Sequence, residues 1–232
     1  MQRILVTGAS RGLGLEFVRQ FVQRGAHVFA ACRKPGQATD LTRLALAHPG
    51  RVTVLPVDLA RPASITELGN ELRLVTDSLD LLVNNAGVLV SGERFGSLEA
   101  KHLADTFATN VIGPVLMAQA MAPLLAAGQA PKVLNLSSIL GSIARCEEFG
   151  TPSYSISKAA LNMAIRQLSH ELAPQGITAF VIHPGWVKTD MGGSGAQITV
   201  QQSVTGMLAV VDGAGPDFAG RFLSWDGKDL PW

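Results

Sequence analysis

Short apolar runs rich in β-branched residues alternate with longer amphipathic stretches along the whole chain, and this alternation limits the fold more than any other feature. The runs occupy residues 3–7, 27–31, 52–57, 79–83, 132–136, 178–183 and 221–224; the helix-like stretches occupy 13–23, 38–47, 64–76, 98–126, 153–173 and 200–211. Strands that alternate with helices predict a parallel sheet, because parallel neighbours can be joined only by a crossover that returns along a face of the sheet. Crossovers on both faces bury the strands on both sides, which is why the runs read as continuously apolar. No repeat, low-complexity tract or linker interrupts the pattern, so residues 1–232 are expected to form a single α/β domain, a doubly wound parallel sheet of about seven strands with helices on both faces. The loosest stretch is 188–198, where Gly192, Gly193, Ser194 and Gly195 follow one another, and a mobile loop is expected there.

Composition narrows the function classes. Charged residues make up 16% of the chain and hydrophobic residues 47%, where about 25% charged is ordinary for a soluble domain. So little charge implies either a sheet buried on both faces or an outer surface partly buried in a partner. A net charge of +1 gives no electrostatic reason to bind nucleic acid or an anionic membrane. The two cysteines, Cys32 and Cys146, cannot build a secreted disulfide framework, and the chain opens on Ile4-Leu5-Val6 rather than on a basic and then apolar leader. A reducing, cytoplasmic location is therefore expected. The longest apolar run, 111–127, contains Gly113, Pro114, Gln119 and Pro123 and falls short of the roughly 18 residues of a spanning helix, so no membrane partner is expected. The histidines at 27, 48, 102, 170 and 183 have no ligand spacing, so no metal site is expected, and His183 is read as a packing residue at a strand end. The stretch Gly192-Gly-Ser-Gly-Ala196 misses the last glycine of a serine-hydrolase elbow.

Two motifs carry chemistry. Thr7-Gly8-Ala9-Ser10-Arg11-Gly12-Leu13-Gly14 follows the first strand and opens the first helix. Glycines at 8, 12 and 14 let the backbone turn tightly and approach a pyrophosphate, whose charge is favoured at a helix N-terminus. The spacing is not the standard G-x-G-x-x-G, and a plain glycine turn is the competing reading. The second motif, Tyr154-Ser-Ile-Ser-Lys158, lies in a helix that Thr151 and Pro152 are expected to start. Residues i and i+4 share a helix face, so phenol and ammonium point the same way. A nearby cation is expected to lower the phenol pKa from about 10 toward working pH and make Tyr154, the only tyrosine, a usable acid or base.

Together these motifs resemble the classical short-chain dehydrogenase/reductase family over essentially the whole chain. Further matches follow in order: Asp58 after the third strand, Asn84-Asn85-Ala86-Gly87 after the fourth, Asn110 in the long helix, Ser138 after the fifth strand and Pro184-Gly185 after the sixth. All but Asn110 lie at the C-terminal edge of the strands, where open α/β sheets bind ligands. Within the family, Asn135-Leu-Ser-Ser-Ile-Leu-Gly-Ser142, Ser157-Lys-Ala-Ala-Leu-Asn162, the stretch from His183-Pro-Gly-Trp to Met191-Gly-Gly193 and the ending Pro231-Trp232 look like the sniffer-type carbonyl reductases and the bacterial C-factor proteins.

The resemblance implies a Rossmann-like fold and a catalytic tetrad of Asn110, Ser138, Tyr154 and Lys158, with Ser137 as a competitor for the serine role. Tyr154 is then the general acid that protonates a carbonyl oxygen, Ser138 holds that oxygen, Lys158 assists Tyr154 and bonds the nicotinamide ribose, and Asn110 holds a relay water. It also implies cofactor contacts from Gly8, Ser10, Arg11, Gly12, Leu13, Gly14, Arg33, Asp58, Leu59, Asn85, Ala86, Gly87, Tyr154, Lys158, Pro184, Gly185, Val187 and Thr189. Asp58 is equally readable as a turn cap and Thr189 as a plain loop threonine. An NAD enzyme places an acid after the second strand, whereas an NADP enzyme places arginine nearby. Here Ala31-Cys32-Arg33-Lys34 holds no carboxylate and Arg11 stands in the glycine loop, so NADP(H) is the expected cofactor. The expected activity is NADPH-dependent reduction of an aldehyde, ketone or quinone, and the alternative is a dinucleotide-binding, C-factor-like signalling or interaction protein. Trp186, Phe149 and Met191 suggest an apolar pocket. Family members commonly pair through the helices spanning 111–127 and 153–173, so a homodimer or homotetramer is expected.

Overall fold

The computed structural model describes all 232 residues. The strands are β1 (Arg3–Thr7), β2 (His27–Cys32), β3 (Val52–Pro56), β4 (Leu81–Asn84), β5 (Lys132–Leu136), β6 (Thr178–His183) and β7 (Phe222–Ser224). The main helices are α1 (Gly12–Gln23), α2 (Thr39–Ala47), α3 (Pro62–Val75), α4 (Ala100–Phe107), α5 (Gly113–Ala126), α6 (Pro152–Leu172) and α7 (Val200–Gly213). All seven strands pair in parallel in the order β3-β2-β1-β4-β5-β6-β7. The order reverses between β1 and β4, which opens a crevice at their C-terminal ends, the usual ligand position in such sheets.

Successive side chains of a strand point to opposite faces, and the core divides accordingly. Ile4, Val6, Val28 and Ala30 pack with Phe17, Val18 and Phe21 of α1 and Val204, Met207 and Leu208 of α7. Leu5, Phe29, Leu82 and Val133 pack with Leu68 and Leu72 of α3, Met117 and Met121 of α5, and Leu161 and Ile165 of α6. Both faces are thus apolar and covered, as the continuous apolar runs require.

Element ends fall within two residues of the expected ones, and two differences have an identifiable cause. β4 starts at Leu81 rather than at 79, because the Leu79 N–H bonds to the Leu124 carbonyl at the end of α5 instead of to a strand. The long helix starts at Ala100 and widens into a π turn over Ala108–Ile112. Pro114, four residues beyond Asn110, has no N–H for the Asn110 carbonyl, which is the bond an α-helix would require there. Gly113 passes so close to Leu59 that an added Cβ would lie 2.7 Å from the Leu59 Cβ. By length and composition the helical run Ala100–Ala126 is apolar enough to cross a membrane, but Met117, Ala118, Met121 and Leu125 are fully buried in this fold, and it is a core helix.

Candidate active site

The turn between β1 and α1 is held by its neighbours. Gly8 and Gly12 occupy the left-handed region at φ +67° and +55°, where glycine alone is unstrained. A Cβ on Gly14 would lie 2.2 Å from the Gly8 carbonyl oxygen, so only glycine lets α1 begin this close to the turn. Asn85 donates from Nδ2 to the carbonyls of Thr7 (2.8 Å) and Gly8 (3.2 Å). Thr7 Oγ1 accepts from the N–H groups of Asn85 (3.1 Å) and Ala86 (3.2 Å). The glycine turn and the segment after β4 therefore form one unit, with Ser10 and Leu13 half-buried in it.

Tyr154 and Lys158 lie one turn apart on α6, buried at 9% and 4% exposure, with Lys158 Nζ 5.5 Å from the centre of the Tyr154 ring. Lys158 Nζ donates to the Leu136 carbonyl at 2.7 Å, which ties α6 to the end of β5. Burial pushes the phenol up to about 12, and the Ser138 hydroxyl beside it acts in the opposite direction. Burial also brings the Lys158 ammonium down to about 8. The shift of the phenol thus runs opposite to the expected lowering: desolvation outweighs the Ser138 hydrogen bond, and each group is driven toward its neutral form. At neutral pH the phenol holds its proton.

The two candidate serines differ in their hydrogen bonding. Ser137 Oγ donates to Asn162 Oδ1 at 2.5 Å within the core, whereas Ser138 Oγ accepts from the Leu140 N–H at 3.2 Å and is left with its own proton to give. Asn110 is fully buried. Its Oδ1 accepts from Val88 N–H (2.8 Å), and its Nδ2 donates to the Val88 carbonyl (2.9 Å) and to Ser157 Oγ (3.1 Å). Both amide protons are committed, so the side chain acts here as a clasp between the segment after β4 and α6 and has no proton free for a relay water. A Cβ on Gly87 would lie 3.4 Å from Asn110 Oδ1 and 3.7 Å from Lys158 Nζ, so Gly87 leaves the space that these two side chains border.

The remaining candidates are partly brought together. Asp58 Oδ1 accepts from Ala60 N–H at 3.1 Å, which is the turn-cap reading of that residue. Leu59 is buried at 4% exposure. Arg33 is exposed at the end of β2. Arg11 is not free: it pairs with Asp190 at 2.6 Å across the surface. Gly185 turns at φ +84° against Ile198 and Trp225, and Pro184 accepts from Ser203 Oγ at 2.6 Å. Val187 is buried and bridges to Ile198. Thr189 Oγ1 accepts from Gly192 N–H at 3.1 Å, and the Thr189 methyl would lie 3.7 Å from a Cβ on Gly12. The stretch expected to be loose is stitched across its neck, with Gln197 and Ile198 N–H groups on the Trp186 carbonyl and Trp186 Nε1 donating to Gly192 at 2.7 Å. Phe149, Trp186 and Met191 are roughly half exposed, and Phe149 packs edge to face on Phe95 at 6.0 Å.

Other residues at the site were given no chemical role by the sequence. His183 is more than packing: its Nδ1 accepts from the Ile139 N–H at 3.2 Å beside Ser138, and burial pulls its pKa down to about 4, so it stays neutral. Ser142 Oγ donates to the Pro231 carbonyl at 2.7 Å, and Ala144 N–H to that of Trp232 at 2.8 Å, which pins the Ser138 loop to the last residues.

This arrangement matches known proteins. The family model for short chain dehydrogenases fits residues 2–197. The chain belongs to the short chain dehydrogenase family. C-signal of Myxococcus xanthus is 42% identical to this short chain dehydrogenase over 157 residues, 68% of this chain and 95% of that one. Carbonyl reductase Sniffer of D. melanogaster superposes with a TM-score of 0.95 at 36% identity over 100% of both chains. The NADPH-bound carbonyl reductase from chicken fatty liver superposes with a TM-score of 0.93 at 37% identity over 100% of this chain and 99% of that one. This short chain dehydrogenase is therefore an oxidoreductase built like the carbonyl reductases, in the subgroup that its sequence resembles.

Proposed function

We propose that this short chain dehydrogenase is an NADPH-dependent carbonyl reductase acting on aldehydes, ketones or quinones, with residues 1–232 working as one domain. The observation that supports this most is the buried Tyr154 phenol, kept protonated beside the Ser138 hydroxyl and one helical turn before Lys158.

The residues fit the cofactor. The turn through Gly8, Ser10, Gly12 and Leu13 would receive the pyrophosphate at the start of α1, which Gly14 lets approach the turn closely because a Cβ there would meet the Gly8 carbonyl. Exposed Arg33, with no carboxylate at the end of β2, and Arg11, once shared with Asp190, suit a second phosphate better than a bare ribose hydroxyl. Asp58, the Leu59 main chain, Asn85, Ala86 and Gly87 line the adenine side; Pro184, Gly185, Val187 and Thr189 line the nicotinamide side. Bound there, NADPH supplies the hydride.

Ser138 Oγ–H and the Tyr154 phenol donate to the substrate carbonyl oxygen. As the carbonyl carbon gains hydride, the phenol proton passes to that oxygen and an alcohol forms, so no bare alkoxide is left. The Lys158 ammonium and Ser138 stabilise the phenolate until it regains a proton. Asn110 keeps Val88 and Ser157 in place beside Lys158. Exposed Ile112, Ile156 and Met163 support pairing of two or four chains through the helices spanning 111–127 and 153–173.

A second reading, a dinucleotide-binding signalling protein with incidental catalysis, is favoured by the 42% identity to C-signal. The two separate in one experiment: NADPH oxidation with a panel of carbonyls, wild type against Tyr154→Phe. Turnover that collapses in the variant while NADPH binding persists supports the reductase. No turnover with any carbonyl, together with NADPH binding, supports the signalling reading.

A further inference from the structure

Helix α6 carries Tyr154 in its first turn, yet its own sequence does not cap it. Thr151, at the N-cap position, makes no side-chain cap bond and sits at φ +42°, a left-handed conformation unusual for a β-branched residue. The cap comes from elsewhere. Glu93, 60 residues earlier, accepts at Oε2 from the Ser153 hydroxyl (2.6 Å) and the Ser153 N–H (3.1 Å). Its side chain is only 2% exposed, with His102 Nδ1 4.0 Å from Oε1, and that second oxygen is buried without a hydrogen-bond partner.

A carboxylate buried with half of its acceptors unused is costly, and Thr151, a residue type that commonly caps, is kept from doing so by its left-handed backbone. What the distant carboxylate does that a local cap does not is join two parts of the site. Glu93 lies on the segment after β4, in which Val88 is clasped by Asn110. The same segment begins with the Asn85 amide that holds the glycine turn. Glu93 closes this chain of contacts onto the residue next to Tyr154, at the positive end of the α6 dipole.

We propose that Glu93 is a positioning residue for Tyr154: by gripping Ser153 it fixes the first turn of α6, and with it the phenol, against the segment that follows β4. This rests on the carbonyl reductase reading for its kinetic consequence but not for its geometric one. The single tyrosine gives a direct optical readout of the second.

The test compares wild type with Glu93→Ala, Glu93→Gln and Ser153→Ala in steady-state NADPH-dependent carbonyl reduction, NADPH binding, thermal denaturation and absorbance titration of the phenol. Glu93→Ala is expected to lower kcat by about tenfold to a hundredfold, the loss that a misplaced acid produces, with the NADPH Kd unchanged. Its phenol titration should move down from about 12 as water reaches the ring. Glu93→Gln, whose amide oxygen still accepts from Ser153, retains most of the wild-type kcat, and Ser153→Ala, which keeps the backbone bond, shows a smaller loss. A Glu93→Ala protein with wild-type kcat and titration overturns the proposal. So does a loss shared equally by Glu93→Gln that follows melting temperature and NADPH affinity, because that marks a role in folding alone. If Glu93→Ala does not fold, Ser153→Ala decides: an unmoved phenol titration overturns the proposal. If wild type reduces no carbonyl, the reductase reading fails, and the titration alone confirms or overturns the placement.

Discussion

Burial moves the two ionisable members of the candidate tetrad in opposite directions on the pH scale, each toward its neutral form. The phenol at about 12 is a proton donor over the whole working range. Lys158 at about 8 is still largely an ammonium at neutral pH, able to stabilise the phenolate that proton donation leaves. Two consequences with opposite signs follow across the same pH window. Reduction should slow as pH rises through about 8, because the ammonium that supports the phenolate is lost. Stability should rise there, because the unfolded lysine, at 10.5, holds its proton where the folded one at about 8 has released it. Below that window burying the charge costs roughly 3 kcal/mol, and the cost fades toward pH 10. Urea denaturation and kcat measured at matched pH values check both; activity and stability that change in the same direction would contradict the burial argument. At this scale the sequence was informative where chemistry repeats at short spacing. Tyr154 and Lys158 are legible from an i, i+4 relation, whereas Glu93, His183 and the clasp made by Asn110 depend on contacts between distant segments that no local pattern announces. The direction of the phenol shift was not legible either, because it depends on how deeply the pair is buried.

At the scale of elements, the site depends on how closely α1 approaches the glycine turn. A methyl at Gly14 meets the Gly8 carbonyl oxygen at 2.2 Å and Asn85 Nδ2 at 2.5 Å, so Gly14→Ala must push α1 off the turn. The expected cost is about 3 kcal/mol, the upper end for forced overpacking, together with weaker NADPH binding as the amide cluster opens. At Gly12 the nearest atom is 3.7 Å away and the penalty is the φ of +55° alone, roughly 1 kcal/mol. Thermal denaturation of the two variants should rank them in that order; equal losses would mean that the close approach does not matter. The alternation of apolar runs was enough to predict all seven strands and the helical regions between them, with α4 and α5 read as one helix, because a sheet covered on both faces leaves no other use for such runs. The π turn and the late start of β4 were not predicted. Both follow from specific partners, Pro114 withholding an N–H from Asn110 and Leu79 bonding to Leu124, which periodicity does not encode.

At the scale of the molecule, the low charged fraction of 16% is explained only in part by the doubly covered sheet. Ile156 and Met163 on α6 and Ile112 at the head of α5 remain 48–61% exposed, a cost that pairing would remove. Light scattering is expected to give the mass of two or four chains, and Met163→Glu to lower it with the fold intact; a wild-type monomer would contradict the pairing. In the proposed reaction a buried, protonated Tyr154 delivers the proton in an NADPH-driven carbonyl reduction. The most direct test is kcat for NADPH oxidation with a reactive carbonyl, wild type against Tyr154→Phe, with NADPH affinity measured alongside. A fall of about a hundredfold to ten-thousandfold in kcat at unchanged affinity is expected, and equal rates in the two proteins would rule out Tyr154 as the proton donor.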